Sequence, residues 1–301
     1  MINKIFYSIF QQGSKTMFYS SLFFPKNVRN DVFILYGFVR RADNLVDKLP
    51  QDQAGFYKFK QKYEQAHQGT KTGDVVIDSF AELAQRKNFD PKWTEAFLDS
   101  MEMDLTKKTY YTLDETLEYV YGAAEVMGLY MVNILDLNKN AYVYSRYLGR
   151  AMQCINAIRD IAEDLEFGRS YIPLSDLQQY ELKSLDYHYT KQHPQRFSEF
   201  IKGQISRYSH WQEIAEKGYR YVPKRYLICV KTASDMYNWT AEQILKNPFV
   251  VYQWKVQPLI IKILTTVLTN IIDTTNQKTR LSASTPPLAC DTLIQNGHST
   301  D

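Results

Sequence analysis

An all-α, single-domain fold follows from three features of this 301-residue sequence. Apolar residues recur at i, i+3, i+4 and i+7 along most of the chain, the period of an amphipathic helix, and the sustained alternation of a half-buried strand is scarce. The ten prolines fall mostly at the seams between such segments, where a residue lacking a backbone N–H ends a helix. No run rich in Gly or Ser divides the segments, so one domain is expected rather than two.

The predicted helices run, in order, over Val28–Lys48, Gln53–His67, Val75–Asn88, Lys92–Met103, Leu113–Leu137, Tyr142–Phe167, Gln195–Tyr221, Lys224–Leu245 and Lys255–Ile272. The first has Val32, Leu35, Phe38, Val39, Ala42 and Val46 on its core face, and Pro50 separates it from the second. The third keeps the helical period, and Pro91 precedes the fourth. Small residues from Gly122 to Gly128 predict a kink in the fifth. Gly168 and Pro173 end the sixth, and Pro194 and Pro223 precede the seventh and eighth. In the ninth, Pro258–Ile272 is apolar over about fifteen residues but carries Lys262, short of the ~20 residues needed to span a bilayer. From Thr274 the composition turns to Thr, Ser, Asn and Gln with Pro286-Pro287, so residues 1–273 are expected to form the domain and 274–301 a disordered tail.

Bulk properties exclude several functions. A net charge of +3, with no dense Lys/Arg run, argues against nucleic acid as a partner. Three widely spaced cysteines, Cys154, Cys229 and Cys290, offer neither a disulfide framework nor a metal knuckle and fit a reducing cytosol. Lys4, Gln11, Gln12 and Lys15 interrupt the first apolar stretch, so no signal peptide is expected and the chain reads as cytoplasmic. The five histidines occur in no H-E-x-x-H or E-x-x-H pattern, which removes zinc hydrolases and di-iron bundles. Neither a P-loop nor a G-x-G-x-x-G is present.

Two polar stripes carry the chemistry. Asn156, Asp160 and Asp164 recur every four residues and share one helix face, bordered by Ile155, Ile158, Ala162 and Leu165 at core spacing. Three oxygen ligands so placed suit a hard cation such as Mg2+, which takes one or two carboxylates and completes its octahedron with water and substrate phosphate oxygens. In isolation the same stripe also describes a solvated acidic helix. The first predicted helix carries the second stripe, with Tyr36, Arg40, Asp43 and Asp47 at i, i+4, i+7 and i+11. An i, i+4 aspartate pair repels itself unless a cation sits between the carboxylates, so two stripes favour metal, with Arg40 and Arg41 as the alternative, purely structural neutralisers. Ser14-Lys15-Thr16 lies in a polar segment before the first predicted helix and could close over a phosphate. Arg159, Arg169 and Tyr171 flank the second stripe, where guanidinium forks suit phosphate oxygens as well as ordinary ion pairs. The 23 tyrosines and 16 phenylalanines suffice to line an apolar cavity.

The stretches Tyr36-Gly-Phe-Val-Arg-Arg-Ala-Asp-Asn-Leu-Val-Asp47 and Gln153-Cys-Ile-Asn-Ala-Ile-Arg-Asp-Ile-Ala-Glu-Asp164 resemble the two signatures of the squalene and phytoene synthase family, the head-to-head prenyl transferases, most closely its bacterial phytoene synthases. Gly-Arg-Ser-Tyr-Ile-Pro173 follows the second signature, Leu148-Gly149 precedes it, and the likeness extends from about Ser14 to Lys262. The resemblance implies an isoprenoid-synthase-like helical bundle around a central apolar cavity. It implies Asp43, Asp47, Asn156, Asp160 and Asp164 as metal ligands, with the four aspartates and Tyr171 catalytic. It implies Tyr36, Arg40, Tyr119, Arg159 and Arg169 in contact with diphosphate or bordering the site, and Ser14, Lys15 and Thr16 as its mobile cover. Mg2+ is the expected cofactor, with Mn2+ as a substitute, and no NADPH. Two departures stand out: Asn44 replaces a frequent second acid, and Glu125 stands where a small Gly is common, which leaves the shape of that wall open. Lys255 matches a basic position loosely.

The implied reaction joins two prenyl diphosphates, geranylgeranyl diphosphate first among them, through a cyclopropyl diphosphate to phytoene, for carotenoid biosynthesis. The alternatives are a dehydrosqualene or squalene synthase using farnesyl diphosphate and, more remotely, a non-catalytic membrane-associated assembly factor. Retention of all five ligand positions argues against the last. An apolar product and the Pro258–Ile272 segment beside Lys255 and Lys262 also predict peripheral association with anionic membranes.

Overall fold

A computed structural model of the chain describes residues 4–283, with side chains through residue 274. Among these residues there is no β-strand, as the periodicity predicts. The helices are α1 (Lys4–Gly13), α2 (Lys15–Ser21), α3 (Lys26–Val46), α4 (Gln53–His67), α5 (Val75–Arg86), α6 (Pro91–Thr106), α7 (Leu113–Val120), α8 (Val126–Ile134), α9 (Ala141–Arg159), α10 (Ile161–Glu166), α11 (Leu174–Gln179), α12 (Tyr187–Gln192), α13 (Pro194–Glu216), α14 (Lys224–Lys246) and α15 (Ile260–Ala283). A π-helical turn (Tyr121–Glu125) joins α7 to α8, and 3-10 turns (Lys217–Tyr221 and Pro248–Tyr252) follow α13 and α14.

Most helices fall where the apolar period puts them, and the differences have local causes. The segment before Val28 is not a plain polar stretch. Phe6 and Phe10, four residues apart, bury one face of α1, and the Ser14 hydroxyl accepts the Met17 N–H at 3.3 Å to cap α2. The expected kink after Leu113 is the π turn, a geometry that leaves an extra residue in the helical ladder. The long helix expected over residues 142–167 breaks at Asp160, whose φ of −100° and ψ of 16° leave the helical region, although the Asp164 N–H still reaches the Asp160 carbonyl at 2.8 Å. The helix expected from Lys255 begins at Ile260, after Pro258, and runs through Ala283, past the expected boundary at Thr274. Residues 284–301 of the expected tail lie outside the described residues.

Two apolar clusters flank the middle of the molecule. One gathers α1, α3, α4, α5, α6 and α8 around aromatic rings such as Phe38 and Phe80, stacked at 3.8 Å with an interplanar angle of 11°. Each such side chain contributes roughly 1.5–3 kcal/mol by leaving water. The other joins α9, α13 and α14. Helix α9 is the shared wall, packing on α13, α8 and the π turn. Its approach to that turn depends on Gly149, where a Cβ would sit 2.3 Å from the Ala124 carbonyl oxygen.

Candidate active site

All fourteen candidate residues line one cleft of about 550 Å³: Ser14, Lys15, Thr16, Tyr36, Arg40, Asp43, Asp47, Tyr119, Asn156, Arg159, Asp160, Asp164, Arg169 and Tyr171. Helix α3 presents one wall. Tyr36, Arg40 and Asp43 project from it, and Asp47 caps its end with its N–H on the Asp43 carbonyl at 2.8 Å. The opposite wall is the end of α9 and the start of α10, bearing Asn156, Arg159, Asp160 and Asp164. The α1–α2 junction, with Ser14, Lys15 and Thr16, edges the cleft, and the Phe10 ring stacks on Tyr36 at 3.8 Å to anchor α1 against α3.

Sequence order brings the third wall into place. Gly168 ends α10 at a φ of +67°, a conformation that glycine adopts without a Cβ penalty, and turns the chain so that Arg169 and Tyr171 face back into the cleft. Arg169 Nη2 donates to Asp47 Oδ1 at 2.6 Å, and Arg169 Nε lies 3.7 Å from Asp164 Oδ1, so one guanidinium bridges the two acidic stripes. Arg40 pairs with Asp43 and Arg159 with Asp160, the latter through Nε to Oδ1 at 2.8 Å. Lys255 Nζ lies 3.3 Å from Asp160 and also binds Glu163, which gives the loosely matched position a definite place at the cleft mouth.

The charges here are mutually unfavourable as they stand. Burial, then the neighbouring Asp47 carboxylate, pushes Asp43 above the ordinary carboxylate range, with Arg40 opposing. Burial likewise raises Asp164, to about 8, against Arg169 and with Asp160 and Asp47 adding to the rise. The Asn156 Oδ1 atom is buried without a hydrogen-bond partner, and Arg169 Nε and Nη1 are buried donors in the same condition. Among the described residues, no three His, Cys, Asp or Glu side chains converge as a preassembled metal site; arginines hold the aspartates instead. The donor set nevertheless fits Mg2+. It consists of hard oxygens in pairs on two facing walls, an orphaned amide oxygen among them, with room for substrate oxygens to complete the shell.

Sequence reasoning missed several lining or supporting groups. Tyr237 and Thr240 of α14, Gln153 of α9 and Met101 of α6 line the cleft. Behind it lies Asp104, 1% exposed, raised by burial to about 7 against the Tyr171 hydrogen bond and the Arg169 charge. Glu125 answers the open question about its wall. The residue is buried in the π turn, its carboxylate accepting from Arg150 Nε at 2.6 Å and Arg146 Nε at 2.8 Å, both on α9. The acid therefore ties the turn to α9 and leaves Ala123 to face the cleft.

Beside the polar cleft lies an apolar cavity of about 330 Å³, with Met17 and Tyr36 lining both. Leu35, Val39, Met127, Met131, Leu148 and Met152 are among the side chains that line it. A phosphate-suited, acidic mouth over an apolar chamber is the arrangement a prenyl diphosphate requires.

Comparison with known proteins agrees. A model of the squalene/phytoene synthase family matches residues 10–260. The 15-cis-phytoene synthase of Pantoea ananas is 27% identical over 237 residues, 75% of this chain and 76% of its own length. That of Synechocystis sp. is 28% identical over 257 residues, 80% and 76% of the two chains. The 4,4'-diapophytoene synthase of Staphylococcus haemolyticus is 27% identical over 186 residues, 60% and 65%. In fold, the squalene synthase HpnC of Alicyclobacillus acidocaldarius superposes with a TM-score of 0.73 at 20% identity, covering 82% of this chain and 94% of its own. A dehydrosqualene synthase superposes with a TM-score of 0.71 at 20% identity, covering 92% and 95%. With the family model spanning both acidic stripes and the Gly168–Tyr171 turn, the chain belongs to the squalene/phytoene synthase family.

Proposed function

We propose that the protein condenses two molecules of geranylgeranyl diphosphate head to head, with Mg2+ and without a reductant, to give phytoene. Membership of the family makes the chain a prenyltransferase acting on prenyl diphosphates. The single observation that supports a metal-assisted ionisation of prenyl diphosphate is the pair of acidic stripes on α3 and α9–α10 facing across one cleft beside an apolar cavity. The relatives named 15-cis-phytoene synthase support the C20 donor. The relative named 4,4'-diapophytoene synthase favours a second reading, a C15 donor and a C30 product.

Asp43, Asp47, Asn156, Asp160 and Asp164 would hold Mg2+, which supplies Lewis-acid neutralisation of the charge developing on departing diphosphate. Arg40, Arg159 and Arg169 are already at the carboxylates, and each offers a planar fork to phosphate oxygens once its aspartate turns to a cation. Ser14, Lys15 and Thr16 border the same volume, where the Lys15 ammonium adds positive charge from the α1–α2 junction. The aromatic rings of Tyr36, Tyr119 and Tyr171 present negative faces to an allylic cation, and the apolar cavity behind Tyr36 excludes the water that would quench it.

Purified protein given Mg2+ and geranylgeranyl diphosphate, with no nucleotide, is expected to yield a C40 hydrocarbon by gas or liquid chromatography with mass detection. A C30 hydrocarbon from farnesyl diphosphate alone would move the assignment to the C15 donor, and strict dependence on NADPH would make the protein a squalene synthase.

The same reading includes a membrane-bound product exit. No described helix is long and apolar enough to cross a bilayer. In α15, Ile263, Val267 and Asn270 are buried, while Ile261, Leu264, Leu268 and Ile272 form an exposed apolar stripe that follows Gln257 and Pro258 at the cleft mouth. Trp254 and Leu259 extend it. Lys255 is engaged by Asp160 and Glu163, which leaves Lys262 as the basic residue of this segment to meet lipid headgroups. The protein is expected to float with anionic liposomes, more weakly with neutral ones, and to lose flotation in Ile261→Asp/Leu268→Asp. Absence of binding to anionic liposomes would remove the membrane from the proposal.

A further inference from the structure

Behind the aromatic wall of the cleft, one carboxylate collects contacts from several site elements. Asp104, in the last turn of α6, does not line the cleft and is 1% exposed. Its Oδ1 accepts the Tyr171 hydroxyl at 2.6 Å, and its Oδ2 accepts the Tyr119 hydroxyl at 3.1 Å. Arg169 Nη1 lies 3.7 Å from Oδ1, while Nη2 of the same guanidinium holds Asp47. The two tyrosine rings are stacked at 4.7 Å with an interplanar angle of 21°. Gln51 Nε2 binds the Asp104 carbonyl at 2.9 Å and the Val46 carbonyl at 2.6 Å, so the end of α6 is tied to the end of α3, where Asp47 sits.

A phenol carries one proton. Once that proton is given to Asp104, any other hydrogen bond made by the Tyr119 or Tyr171 oxygen must be one it accepts. A buried acceptor of two such bonds also fixes the place of both hydroxyl oxygens, and the stacking of the two rings restrains their planes. We propose that Asp104 is a positioning residue for the reaction: it commits the Tyr119 and Tyr171 hydroxyl protons away from the cleft, so that the two oxygens present only lone pairs toward the carbocation, and it seats Arg169 between the acidic stripes. A neutral donor in its place would turn one phenolic O–H around and present a positive dipole end to the cation. This inference rests on the carbocation chemistry proposed above, and the test separates the two.

The wild-type protein is first assayed with Mg2+ and geranylgeranyl or farnesyl diphosphate. No hydrocarbon from either would defeat the proposed function without bearing on the hydrogen bonds, which tyrosine ultraviolet resonance Raman spectroscopy reads independently. Asp104→Asn is expected to lower kcat roughly 10- to 100-fold, the range for groups that orient a functional side chain, with KM changed less than about threefold. Tyr171→Phe should lower kcat comparably, and Asp104→Asn/Tyr171→Phe should fall no further than the worse single variant. The Raman difference between wild type and Asp104→Asn should show the tyrosine Fermi doublet moving away from strong proton donation. Wild-type kcat in Asp104→Asn, additive losses in the double variant, or an unchanged doublet would overturn the proposal. Should Asp104→Asn fail to fold, Tyr171→Phe decides: its apolar replacement keeps the ring, and wild-type kcat in it would overturn the proposal equally.

Discussion

Asp43→Asn and Asp160→Asn should each lower turnover by about 10³-fold, the scale for deleting one group that stabilises developing charge, while far-ultraviolet circular dichroism and melting temperature hold. The two halves of this expectation have one cause. Burial and then the Asp47 carboxylate raise the Asp43 pKa, and Asp160 adds to the rise that burial causes at Asp164, so an amide in either place relieves a buried or like charge in the folded protein. Arg40 is 35% exposed at its side chain and recovers water, an exposed ion pair contributing only about 0–1 kcal/mol. Arg159, 17% exposed, keeps the nearby Glu163 charge and, in Asp160→Asn, an amide oxygen to donate to. Stability should therefore be held or slightly raised, the signature of residues placed for chemistry at some expense to folding. Chelation by EDTA should abolish activity in the same way and addition of Mg2+ restore it. Full turnover in either variant, or in EDTA, would remove the metal role from these aspartates.

The stripes were legible because their chemistry and their periodicity coincide. Asp43 and Asp47, or Asn156, Asp160 and Asp164, can be read at four-residue spacing, and the spacing survives the break at Asp160 because the Asp164 N–H still bonds the Asp160 carbonyl. Asp104 was not legible. In Met101-Glu102-Met103-Asp104 nothing marks one acid as buried, and its partners Tyr119 and Tyr171 lie 15 and 67 residues away. Helix α1 was hidden for a different reason: at ten residues it is shorter than an isolated helix needs, and its stability comes from docking Phe6 and Phe10 onto α3, a tertiary effect. The kink between Gly122 and Gly128 could be read from small residues, but its π geometry depends on contact with α9, which only the folded chain supplies.

Replacing Glu125 is the change expected to cost the most stability. Its carboxylate is 1% exposed and meets two guanidinium groups. Arg146 is 42% exposed at its side chain and can recover water; Arg150, 17% exposed and lying against the Tyr147 and Trp211 rings, cannot do so fully. Breaking a buried pair from one side costs about 3–5 kcal/mol, and the exposure of Arg146 places Glu125→Ala near the lower end, about 3 kcal/mol. For a chain of this size that lowers the melting temperature by about 5–10 °C. Glu125→Gly, the residue common at this place in the family, should fare no better while the two arginines remain, because the unpaired charge and not the lost side chain dominates the loss. Adding Arg150→Met to either variant should recover part of the loss, since two residues that exist for each other are less costly to remove together than apart. Activity should fall with stability, because α9 carries Asn156 and the approach to Asp160. A melting temperature of Glu125→Ala within about 1 °C of wild type, at the exposed-pair scale of ~0.5 kcal/mol, would show that the π turn is held by its packing alone.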